Sequence, residues 1–290
     1  MRLLTVPLNW ERKNKGVLSR LPSGFMGAKQ ESLNMCKQRI VIKVGTNVMT
    51  NKNNKIVRPV LRNLVWQIAE LYDRDIMTVL VSSGSVIAGK EVLGESNIAD
   101  RSQRRQVFSA IGQPRMMRLY YNIFNDYGLK CAQVLATKRD FNPGIHRDNM
   151  IKCYEGLLTE GVIPIANEDD AVSVTKSMFS DNDELASLVA ELINADKFII
   201  LTDIDGLYTG HPEDEDTEII KTVKIDQNVE QYIQESDKGE AEGRGGMGSK
   251  LNIAKQTAAK NIPTYIANGR KERVILDILE GRNVGTKISM

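Results

Sequence analysis

Apolar residues along this chain come in short β-branched runs that alternate with segments of helical period. Residues 40–44, Ile-Val-Ile-Lys-Val, form the first run and close on Gly45, the mark of a buried strand. Pro59 stands where a first helical turn tolerates it, and Val60, Leu61, Leu64, Val65, Ile68 and Leu71 follow at the spacing of one helix face. Residues 77–81 read as the next strand, with Ser82-Ser83-Gly84-Ser85 as the turn into a helix. The stretch 101–127 is helical in character, but Gly112-Gln113-Pro114 predicts a break in it, because proline removes a helix hydrogen bond and collides with the preceding turn. Further strands are expected at 131–135, 162–166, 198–201 and 264–267, and helices at 149–160, 181–193 and 248–260. A last helix and a short strand close the chain. This alternation predicts an α/β fold: a three-layer α/β/α sandwich around a mostly parallel central sheet, with ligands beyond the carboxyl ends of the strands.

At 290 residues the chain suits one large α/β domain or two smaller ones, and 41% hydrophobic residues exclude wholesale disorder. The formal charge of +2 hides an asymmetry. Within residues 1–39, Arg2, Arg12, Lys13, Lys15, Arg20, Lys29, Lys37 and Arg39 face only Glu11 and Glu31, so the remainder is mildly acidic. That balance argues against a broad nucleic-acid face, which needs clustered cations. Residues 1–37 are read as a flexible basic extension ahead of one domain at 38–290. Met35 is an alternative start, and a transit peptide a further reading. No apolar run approaches the ~20 residues of a membrane span. Cys36, Cys131 and Cys153 are widely spaced and lack a CxxC, so neither a disulfide framework nor a zinc site follows; the cytoplasm is the expected compartment. With only His146 and His211, a histidine-based triad has little room.

Six polar segments begin where apolar strands stop. Lys43 lies inside a hydrophobic strand, so its ammonium points into a cleft or reaches water at a sheet edge. Ser83 and Gly84 sit in a turn whose backbone N–H groups suit an anion; an ordinary turn with a serine cap explains them as well. Asn167-Glu168-Asp169-Asp170 crowds three carboxylates and an amide after a strand, which favours binding over a solvated turn, since like charges repel unless answered. Ser180-Asp181-Asn182-Asp183 reads mainly as a helix cap. Asp203, after Thr202, holds a metal or ribose hydroxyl, or starts a turn. Arg244-Gly245-Gly246-Met247-Gly248-Ser249-Lys250 is the best phosphate signal, although its Gly-Ser-Lys order departs from Walker A; a functionless glycine loop is the alternative. Two lysines, two glycine turns and an acid cluster at strand-to-helix edges are what phosphoryl transfer between anions needs.

In order along the chain, Ile42-Lys43-Val44-Gly45-Thr46, Val81-Ser82-Ser83-Gly84-Ser85, Ala110-Ile111-Gly112-Gln113, Asn167-Glu168-Asp169-Asp170-Ala171-Val172, Phe179-Ser180-Asp181-Asn182-Asp183, Leu201-Thr202-Asp203, Gly206-Leu207-Tyr208 and the glycine loop resemble the amino acid kinase family, and within it the branch that acts on glutamate. The resemblance runs from about residue 39 to 288. It implies ATP-dependent phosphorylation, with Mg2+, of the γ-carboxylate of L-glutamate to γ-glutamyl phosphate, the first step of proline biosynthesis. It places glutamate on the first part of the domain, at Ser83, Gly84, Asn167, Asp170 and Asn182. ATP falls on the second, at Thr202, Asp203 and residues 244–250. Lys43 and Lys250 flank the transferred phosphoryl group and Asp181 and Asp183 organise the site, with no direct protein ligand to the metal assigned. A cytoplasmic homo-oligomer, proline as feedback inhibitor and glutamyl phosphate reductase as partner are further implications, with no nucleic-acid or membrane partner. Larger bacterial members carry a C-terminal PUA domain, and the chain is read as the form without it. Three departures stand out: Asp169 where Asn is common, Arg244 where a small Thr is usual, and Met178 where a lysine occurs, with Lys176 as a doubtful substitute. Residues 171–180 are expected to form a lid. The rivals are a non-catalytic sensor on the same fold and a sister kinase with another acidic acceptor.

Overall fold

β1 (Arg39–Val44) shows how the hydrophobic pattern becomes layers. Successive side chains of a strand point to opposite faces. Ile40, Ile42 and Val44 enter one buried cluster, Val41 enters the other, and Lys43 follows Val41. The computed structural model describes residues 37–173, 179, 181–210, 214, 216–232 and 246–290. Among them β1 is joined by β2 (Met77–Ser82), β3 (Lys130–Ala136), β4 (Val162–Glu168), β5 (Lys197–Thr202), β6 (Thr222–Lys224), β7 (Thr264–Asn268) and β8 (Thr286–Ser289). The helices are α1 (Thr46–Met49), α2 (Arg58–Asp73), α3 (Ser85–Leu93), α4 (Arg101–Asp126), α5 (Ile145–Thr159), α6 (Asn182–Leu192), α7 (Met247–Ala258) and α8 (Val274–Leu279).

The eight strands form one sheet in the order β3-β4-β2-β1-β5-β7-β8-β6. Each neighbouring pair is parallel except β7 and β8. α5, α6 and α7 pack on the face that carries Val41, Val79 and Ile200. α2, α4 and α8 cover the face of Ile42, Leu80 and Ile199. The three-layer expectation therefore holds. β2 and β5 flank β1 on opposite sides, so the chain reverses its direction of build-up there. At such a switch point the carboxyl ends of the strands open a crevice.

One expectation fails. The predicted break at Gly112-Gln113-Pro114 does not occur: α4 runs unbroken from Arg101 to Asp126 with Pro114 inside it. Gly112 serves packing instead. A Cβ there would lie 1.7 Å from the Ser85 carbonyl oxygen, and one on Gly89 would lie 1.8 Å from that of Phe108. The two glycines let α3 and α4 cross with backbones touching. The short helix α1 and strand β6 were not expected from the sequence.

Candidate active site

Lys43 is the one basic residue on the buried half of β1, and its side chain is 6% exposed. β1 is central in the sheet, which removes the edge-lysine alternative. From the Val41 face it reaches the start of α6, where its Nζ lies 2.7 Å from Asp183 Oδ1. Lys250, in the first turn of α7, reaches the other oxygen of the same carboxylate at 3.2 Å. Asp183 is 0% exposed. Burial alone would push its carboxyl up, but the two ammonium groups hold it below the ordinary carboxylate range. The bridge thus joins β1, α6 and α7, three elements far apart in sequence.

Asp181 is the N-cap of α6: its Oδ1 accepts from the backbone N–H groups of Asp183 and Glu184 at 2.9 and 3.0 Å. The cap expected around Ser180 is therefore Asp181 itself, and Ser180 lies outside the described residues. The second oxygen of Asp181 accepts from Ser249 Oγ at 3.0 Å, fastening α7 to α6. Gly246 precedes α7 as its N-cap, Gly248 sits in its first turn, and Met247 packs against the core. Arg244, Gly245, Lys176 and Met178 lie outside the described residues, as does most of the expected lid.

A second set of polar residues begins at Asn182, next to Asp183 in the chain. Asn182 Nδ2 donates to Ser83 Oγ at 2.8 Å and to Asn167 Oδ1 at 2.9 Å. Ser83 follows β2, and Gly84 caps α3 with φ of +98°, a conformation glycine adopts without steric cost. No side chain caps α3, so the serine-cap alternative drops out. Asp170 is buried against α4 and α3. Its Oδ1 accepts from Arg105 Nη2 and Nε at 2.8 and 3.1 Å, its Oδ2 from Ser109 Oγ at 2.8 Å and Ser85 Oγ at 3.5 Å. Glu168 is buried beside it, and burial and the Asp170 charge push its carboxyl above the ordinary value. Across β1, Thr202 ends β5 and donates to Asp203 Oδ1 at 3.2 Å, while Asp203 Oδ2 accepts from Asn47 of α1 at 3.3 Å.

The sequence model of the amino acid kinase family matches residues 38–268. The chain belongs to the amino acid kinase family. A glutamate 5-kinase of Bacteroides thetaiotaomicron is 38% identical over 242 residues, covering 83% of this chain and 67% of that one. A glutamate 5-kinase of Alkaliphilus metalliredigens is 38% identical over 260 residues, covering 89% of this chain and 97% of that one. Among solved structures, isopentenyl phosphate kinase of T. acidophilum in a product complex matches with a TM-score of 0.63 at 17% identity. It covers 87% of this chain and 100% of that one, a likeness of fold.

Within this amino acid kinase, Ser85 of the expected turn stands against Asp170 together with Arg105 and Ser109, which were not singled out from the sequence. Arg105 and Ser109 are four apart, and so share one face of α4. That spacing was the available signal, but with arginines at 101, 104 and 105 it does not by itself tell a binding face from a solvated one. Arg270 was also missed. From the β7–α8 loop it donates to the carbonyl oxygens of Asn47 and Thr50 at 2.6 and 2.8 Å, tying α1 and its C-cap to the segment after β7.

Proposed function

We propose that the chain transfers the γ-phosphoryl group of ATP to the γ-carboxylate of L-glutamate. The product is γ-glutamyl phosphate, the first step of proline biosynthesis. The observation that carries this reading is the Lys43–Asp183–Lys250 bridge, set between the Ser83–Asn167–Asn182–Asp170 cluster and the Thr202–Asp203 strand end. Similarity to two glutamate 5-kinases names the acceptor.

A γ-carboxylate with an ordinary pKa of about 4.3 is ionised at neutral pH and needs no base. One of its oxygens attacks the γ-phosphorus, the bond from that phosphorus to the β–γ bridging oxygen breaks, and ADP leaves. The obstacle is repulsion between acceptor and nucleotide. Lys43 and Lys250 answer it by facing the equatorial oxygens, where charge spreads in the transition state. Asp183 orients both lysines and takes no proton. Asp170 takes the α-ammonium of glutamate on Oδ2 in place of its long 3.5 Å contact with Ser85, while Arg105 and Ser109 hold the carboxylate in position; Ser83 and Asn182, with Asn167 beside them, hold the remaining α-groups. Thr202, Asp203 and residues 244–250 hold ATP.

Magnesium accompanies the triphosphate and supplies charge neutralisation when bound. The nearest carboxylates do not suit a direct metal cage: Asp183 is taken by two lysines and Asp181 by Ser249 and the α6 backbone. The reading extends to a cytoplasmic homo-oligomer, with proline as feedback inhibitor and glutamyl phosphate reductase taking the product; family likeness alone supports these parts.

Trapping the acyl phosphate with hydroxylamine tests the reaction. Glutamate is expected to give ATP-dependent hydroxamate, while aspartate and N-acetylglutamate give little, and carbamate and UMP drive little ATP consumption. Preference for another acceptor would overturn the assignment.

A further inference from the structure

The residues assigned to the amino acid come from two separate places. Asn167 and Asp170 belong to the end of β4 and the turn after it, and Asn182 opens α6. The chain makes an excursion of more than ten residues between them, so something must set their separation. One link is visible within the cluster itself, the Asn182–Asn167 hydrogen bond. A second lies behind it. Glu168 Oε1 accepts from the backbone N–H of Phe179 at 3.2 Å, which joins the end of β4 to the approach to α6.

Both ends of that second link are anchored. Phe179 is 2% exposed, and its ring meets Phe141 edge-on at 5.8 Å. Glu168 is 4% exposed and lies opposite Ala136 in the sheet. Its other oxygen stands 4.0 Å from Arg105 Nη2, the group that grips Asp170 at 2.8 Å. Gln106 of α4 holds the next carbonyl, that of Ala171, at 3.1 Å. Burying a carboxylate is costly unless hydrogen bonds and a cation answer it. Here the answering groups are the Phe179 N–H, on the approach to α6, and the Arg105 guanidinium of α4, which also grips Asp170.

We propose that Glu168 is a positioning residue, holding Asp170 and Asn182 at the separation that glutamate requires. The inference rests on the proposed glutamate kinase reading. It predicts that reach matters more than charge. Glutamine keeps an oxygen at the same distance for the Phe179 N–H. Aspartate keeps the charge but is one methylene too short.

The test is steady-state kinetics of the full chain and its Glu168→Ala, Glu168→Asp and Glu168→Gln variants, with circular dichroism on each. Alanine and aspartate are expected to raise KM for glutamate about tenfold or more while kcat and KM for ATP move little, and glutamine is expected to recover most of the loss. Should the alanine variant not fold, the aspartate–glutamine contrast carries the test. The proposal is overturned by an unchanged glutamate KM in the aspartate variant, by aspartate rescuing better than glutamine, or by both KM values rising in step. A wild-type chain with no glutamate-dependent ATP consumption sinks the kinase reading and this inference together; an active wild type with indifferent variants sinks only the inference.

Discussion

Two lysines on one fully buried carboxylate make an arrangement in which removing any member exposes the others. Lys43 and Lys250 belong to different elements, yet Asp183 fixes both ammonium groups within 3.2 Å of its oxygens. A preorganised donor facing developing charge is worth about 10²–10³ in rate. Lys43→Ala and Lys250→Ala are therefore each expected to lower kcat by that factor, with glutamate KM hardly changed and circular dichroism intact. Asp170→Ala is expected to do the reverse, raising glutamate KM most, because it acts in ground and transition states alike. Near-normal kcat in either lysine variant removes that lysine from the transfer step. Glu168 adds a separate stability signature. Its folded-state value lies above that of the unfolded chain, so the folded protein binds the proton more tightly. The associated stability is full below the unfolded value and is lost as pH rises through the raised one. Denaturant titrations carried upward in pH from the ordinary carboxylate range are expected to show wild type losing ground to Glu168→Gln as pH rises. A constant difference contradicts the shift.

At the scale of elements, the strands were legible because buried parallel strands are short continuous apolar runs, and β1, β2, β4, β5 and β7 all have that form. The α3–α4 crossing was not. Glycine followed by proline two residues later reads as a stop signal, and only the neighbouring helix shows that Gly112 is there for contact with Ser85. Gly112→Ala places a methyl group against a backbone that has no rotamer with which to yield. A loss of at least roughly 1–3 kcal/mol is expected in chemical denaturation. The same crossing carries Ser85 and Ser109 to Asp170, so glutamate KM in this variant is expected to rise as well. A variant of wild-type stability would show that the helices part without cost. The polar face of α4 escaped the sequence reading for a related reason. Arg105 and Gln106 differ from solvated helix residues only in what β4 brings against them.

At the scale of the molecule, the alternation of strand and helix pointed to the layers but not to the strand order. Nothing in the hydrophobic pattern says that β4 inserts between β3 and β2, or that β8 and β6 run opposite to the other six strands. β4 and β5 stand on opposite sides of the β2–β1 pair. In the proposed reading their carboxyl ends offer one flank to an amino acid and the other to a nucleotide, with the Lys43–Asp183–Lys250 bridge between. The central claim is that an oxygen of the glutamate γ-carboxylate attacks phosphorus in that gap. Glutamate labelled with 18O in its γ-carboxylate, turned over with ATP and trapped by hydroxylamine, tests it directly. Attack of hydroxylamine on the acyl carbon releases phosphate carrying the bridging oxygen. The account predicts inorganic phosphate bearing one 18O from glutamate for each hydroxamate formed; phosphate free of label, with water as the nucleophile, would contradict it.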